Sequence, residues 1–118
     1  MNMQRFSELS GLSPHTLRYY EKIGLLKHIQ RNSSGHRVYS SKDLTWVEFI
    51  VRLKETAMPL ADILQYARLR EQGSTSLAAR QALLEAHQQQ LKQHIEQQRT
   101  HLQALQHKIH LYQQQKVT

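Results

Sequence analysis

Four side chains in the stretch Ser13 to Lys27 (SPHTLRYYEKIGLLK) have the chemistry to touch a polyanion: Thr16, Arg18, Tyr19 and Lys22. A hydroxyl, a guanidinium, a phenol and an ammonium near the start of a short helix can reach phosphates or base edges in a DNA groove. The helix N-terminus itself favours phosphate. Ser13 is an N-cap residue, Pro14 suits the first helical position, and Gly24 can end the helix in a left-handed turn. Leu17, Tyr20 and Ile23 share the opposite, inward face.

The pattern predicts a first short helix over residues 3–12 with Phe6 and Leu9 inward and Gly11 as its stop. Helix, glycine turn and Ser-Pro-capped helix make the helix-turn-helix pattern, which an ordinary helical hairpin shares. The next segment separates the two. Asn32-Ser33-Ser34-Gly35 is turn chemistry between strand-like pieces 27–30 and 36–39, a small hairpin or wing with Arg31, His36 and Arg37 near its tip. Such a wing can lie along a phosphate backbone or probe a minor groove. Ser40 or Ser41 caps a further helix in which Leu44, Val47, Ile50, Val51 and Leu53 follow helical spacing. Trp46 and Phe49 add core bulk there. Lys54 near its end is either a phosphate contact or a solvated end charge. Met58-Pro59 breaks that helix. Leu60, Ile63, Leu64 and Ala67 give the following one its apolar face, and Gly73 closes it.

From residue 75 to 115 nothing interrupts helix. Leu84, Leu91, Gln98, Leu105 and Tyr112 recur every seven, with Gln88, Ile95, Leu102 and Ile109 as the complementary set, which is coiled-coil spacing. A stripe that long on so small a protein needs a partner, and the same helix of a second copy is the one expected. His87, His94 and His101 flank the seam. Seven residues are about 10.5 Å of helix, too far apart to share one metal, so a modest pH sensitivity of a dimer is the expectation and no metal or other cofactor is.

The 118 residues carry 16 Lys and Arg against 9 Asp and Glu, a net charge of +7, concentrated toward residues 1–42. That balance favours nucleic acid. The sequence has no cysteine, which excludes disulfides and thiolate metal sites. It has no apolar run near the ~18 residues of a membrane span and no signal-peptide core, so a cytoplasmic location without membrane contact is expected. Paired carboxylates, a nucleophile with its base, and a glycine-rich phosphate loop are all missing, so an enzyme is not expected.

FSELSGLSPHTLRYYEKIGLL, the wing RNSSGHRVYS and KDLTWVEFIVRLKETAMPLADI together resemble the mercury-resistance-regulator (MerR) family of bacterial transcription regulators. The likeness is close over residues 2–72 and architectural beyond. It implies a mainly α fold: a winged helix-turn-helix DNA-binding domain with connecting helices (1–72), a dimerisation helix in an antiparallel coiled coil (75–115), and a tail (116–118). It also implies a homodimer on a promoter with an unusually long spacer, which it bends and untwists in response to a signal so that RNA polymerase can engage. By the same resemblance Arg18 and Tyr19 meet bases or phosphates. Tyr20 meets the backbone or the core, Arg37 acts in the wing, and Lys54 holds the backbone near the centre. Thr16, Arg31, His36 and Tyr39, the wing's closing aromatic, complete the DNA-facing set. Leu84, Leu91, Ile95, Leu102, Leu105, Ile109 and Tyr112 form the dimer seam. The family's metal-sensing cysteines are absent. An effector-independent repressor and an architectural, excisionase-like DNA-bending protein are the alternatives.

Overall fold

The computed structural model describes residues 1–116. Its order is α1 (Met3–Ser10), α2 (Pro14–Ile23), β1 (Gln30–Arg31), β2 (Arg37–Val38), α3 (Ser41–Glu55), α4 (Leu60–Glu71), a 3-10 turn (Gly73–Ser76) and α5 (Leu77–Gln113). The chain divides into two compact units, Met1–Arg80 and the remainder from Gln81. Of the expected tail 116–118, only Lys116 falls among the described residues.

In the first unit, local chemistry sets the ends of the helices. The Asn2 side chain accepts from the Arg5 N–H at 2.9 Å to start α1, and Gly11 ends it at φ 75°. The Ser13 hydroxyl accepts from the Thr16 N–H at 3.1 Å, Pro14 follows, and Gly24 ends α2 at φ 92°. α3 begins with a reciprocal capping box: Ser40 Oγ accepts from the Asp43 N–H at 3.1 Å, and Asp43 Oδ2 from the Ser40 N–H at 2.8 Å. Ala57, at φ 65°, and Met58-Pro59 stop it.

α1 packs on α2 and α3, and α3 on α4. Phe6, Leu17, Leu25, Leu26, Val47, Ile50 and Ile63 are buried between them. Each contributes about 1.5–3 kcal/mol by leaving water, against about 1 kcal/mol for a typical cap. Trp46 joins this core and satisfies its indole N–H on the Leu25 carbonyl at 2.7 Å. Leu9, expected inside, is 42% exposed in the last turn of α1, past the contact that buries Phe6. Leu60 is likewise exposed, at the N-terminal end of α4.

The wing is narrower than the strand-like pieces suggest. Only Gln30↔Val38 and Arg31↔Arg37 pair, antiparallel. Asn32 organises the turn: its Oδ1 accepts from the Ser34 and His36 N–H groups, each at 3.0 Å, and Gly35 takes φ 81°. The second unit is the body of α5, a helix of 37 residues and about 55 Å. It buries none of its residues.

Candidate nucleic-acid interface

Two elements and the start of α1 converge on one concave face. A cleft of about 690 Å³ is lined by Arg18 of α2, by Arg31, His36 and Arg37 of the wing, and by Asn2 and Gln4 at the N-terminal end of α1. The structure therefore brings four of the expected DNA-facing residues together. Asn2 and Gln4 join them without having been anticipated. The legible signal for Asn2 was its place as a capping residue, which puts it at the helix N-terminus facing the wing.

Two of the arginines there are held in place. Arg31 donates to the Gly35 carbonyl at 2.9 Å inside its own hairpin. Arg37 Nε donates to Glu21 Oε2 at 2.6 Å, and both side chains are about three-quarters covered. That charge-assisted bond ties the wing to α2 and uses one edge of the guanidinium, with the terminal N–H groups left over. Glu21 is a second unanticipated member of the site. One of only two acids among residues 1–42, it could have been read as the partner of a nearby arginine.

Thr16, Tyr19 and Lys54 stand outside this cleft. Thr16 Oγ1 accepts from the Ser13 hydroxyl at 3.0 Å and so belongs to the cap of α2. Tyr19 is 46% exposed on α2. Lys54 Nζ donates to the Tyr20 hydroxyl at 3.1 Å and lies 5.1 Å from that ring's centre. Tyr20 itself is 2% exposed, so its ring is core and only its hydroxyl has a polar partner.

Tyr39 is a correction. Counted above with the DNA-facing residues, it is 2% exposed, its ring stacked on Phe6 with centroids 4.1 Å apart and planes 5° from parallel. Its hydroxyl donates to Met3 Sδ at 3.6 Å, and its N–H donates to the Met1 carbonyl at 2.7 Å. Burial pushes the phenol's pKa up, with Arg37 opposing. The residue closes the wing onto α1, because a ring that follows the second strand on its inward side has the core to enter.

On α5, Leu84 and Leu91 are half-buried, while Ile95, Leu102, Leu105, Ile109 and Tyr112 are 48–62% exposed. Among the described residues no three His, Asp or Glu side chains gather closely enough to share a metal ion, and no helix is long and apolar enough to cross a membrane.

The chain is similar to several known proteins. The model described as MerR family regulatory protein matches residues 2–39, and that described as MerR, DNA binding matches residues 44–109. The chain is 33% identical over 89 residues to the HTH-type transcriptional regulator AdhR of Bacillus subtilis, covering 75% of this chain and 64% of that one. It is 34% identical over 110 residues to an HTH-type transcriptional regulator of Haemophilus influenzae, covering 93% and 82%. The crystal structure of HiNmlR, a MerR family regulator lacking the sensor domain and bound to promoter DNA, superposes with TM-score 0.87 at 33% identity, over 98% of this chain and 92% of that one. With both family models together spanning most of its length, the chain belongs to the MerR family of helix-turn-helix transcription regulators.

Proposed function

We infer that the protein works as a homodimer that seats two winged heads on a two-fold promoter site and distorts the DNA between them in response to a signal, so that RNA polymerase can engage. Residues 1–72 bind DNA and residues 75–115 dimerise. The observation that carries the reading is the cleft in which Arg18 of α2 and Arg31, His36 and Arg37 of the wing meet. α2 then lies in the major groove with Arg18 and Tyr19 at base edges or phosphates. The wing runs along the backbone, and Lys54 and the Tyr20 hydroxyl meet phosphate near the centre. Support for DNA as the ligand comes from HiNmlR, crystallised on promoter DNA. Support for the dimer comes from α5, whose apolar stripe from Ile95 to Tyr112 is exposed.

The test is binding to genomic fragments selected by the purified protein. Arg18→Ala is expected to weaken specific sites by about 1–3 kcal/mol, and wild-type affinity to fall steeply with salt as counterions are released. Unchanged affinity in the variant, or a flat salt response, would overturn the assignment.

A further inference from the structure

A second concavity, of about 430 Å³, lies within the first unit where α3, α4 and the first turn of α5 meet. Its floor is aromatic. Trp46 and Tyr66 have centroids 5.8 Å apart and planes 17° from parallel, and Phe49 sits 5.6 Å from Tyr66. Its rim is cationic: Lys42 from the start of α3, Arg70 from the end of α4, and Arg80. No acidic residue lines it. Among the described residues, none of these three cations has a carboxylate within ion-pair distance.

The cations are also arranged. The Arg70 guanidinium lies 4.2 Å from the Trp46 ring centre, a stacking that uses its face and leaves its edge donors for an acceptor. Arg80 is anchored by bonds from Nε to Ser76 Oγ and from Nη2 to the Gly73 carbonyl, each 3.0 Å, two neutral acceptors that do not cancel its charge. Ser76 in turn is fixed on the Leu69 and Gly73 carbonyls. Ring floor, cationic rim and a volume in the small-molecule range of about 300–1,000 Å³ specify a ligand with both a ring and an acid.

We propose that this pocket binds a small aromatic acid, its ring on Phe49 and Tyr66 and its carboxylate at Lys42, Arg70 and Arg80. Other occupants match one half of the site only. A duplex offers phosphates, but its base faces are stacked away. The outer part of α5 from a second copy has no acidic residue after Glu96, so it would bring Arg99, Lys108 and Lys116 toward three cations. A neutral aromatic leaves the rim unmatched.

Trp46 is the sole tryptophan, so its emission reports the pocket directly. The full chain is titrated with 3-phenylpropionate, 3-phenylpropanamide and 3-phenylpropylammonium, with calorimetry as the second measurement. A saturable change is expected for the carboxylate, with the amide and the ammonium weaker by about tenfold or more, the difference a charge-assisted contact makes. Lys42→Gln, at an exposed residue, is expected to weaken the carboxylate several-fold and leave the amide unchanged, and Arg70→Gln to do the same. Three results would each overturn the assignment: no saturable carboxylate binding at millimolar concentration, equal binding of all three compounds, or carboxylate binding indifferent to both variants. Binding seen only after Leu91→Asp with Leu105→Asp would give the pocket to a second copy and overturn it as well.

Discussion

Arg37 and Tyr39 sit two positions apart in the wing and do different work. Arg37 carries charge on the concave face and is steered there by Glu21. Tyr39 fills the space behind it, flat against Phe6. An aromatic pair of that kind is worth about 0.5–1.5 kcal/mol beyond the area it buries. Two substitutions separate packing from recognition. Tyr39→Ala is expected to lower unfolding free energy by about 3–5 kcal/mol in a urea titration, the cost of emptying a large aromatic site. Tyr39→Phe, which removes only a weak bond to a thioether, is expected to cost under about 1 kcal/mol and to leave DNA affinity unchanged. A large loss of DNA affinity in a stably folded Tyr39→Phe would return that hydroxyl to the interface.

At the scale of elements, each helix of the first unit is bounded by bonds spanning three or four residues, and those bonds aim the elements that carry the site. The Ser13-Pro14 start sets the direction in which α2 presents Arg18, and the capping box at Ser40 and Asp43 starts α3 directly after the wing's last strand. Ser40→Ala removes one half of that box, and the expected cost is about 1 kcal/mol, read as a lower urea midpoint with unchanged slope. A neutral result would mean that packing of Trp46, Val47 and Ile50 alone holds the start of α3. The wing is the weakest element on this accounting. It has two paired residues per strand, so its orientation depends on the Glu21–Arg37 bond and on Tyr39 behind it. By contrast Arg5–Glu8, at 3.5 Å and exposed, has little to contribute.

For the molecule as a whole, α5 is the element whose apolar stripe lies uncovered. Its 37 residues bury none of their side chains, although isoleucine, leucine and tyrosine recur along it at heptad spacing. The proposed second copy makes a direct prediction. Leu91→Asp with Leu105→Asp places charge in the seam and is expected to halve the mass measured by light scattering, because a buried unpaired carboxylate costs more than a leucine contact returns. A mass unaltered by both changes would remove this seam from the interface. The net charge of +7 acts at the same scale, drawing the protein to DNA before any specific contact is made.

What the amino-acid order determined by itself was everything governed by near neighbours. Ser13-Pro14, Gly11, Gly24, Asn32 through Gly35 and the Ser40 cap act within four residues, so helix ends and the wing's turn were legible, as was the heptad stripe of α5. Only the tertiary structure decided which side chains of similar type go inside. Leu9 and Leu60 stayed out, Tyr39 went in, Arg37 met a carboxylate 16 positions away, and Trp46, Tyr66 and Arg80 came from three helices to one pocket. Those outcomes depend on where whole helices cross, which is a property of many contacts at once and leaves no local pattern to read.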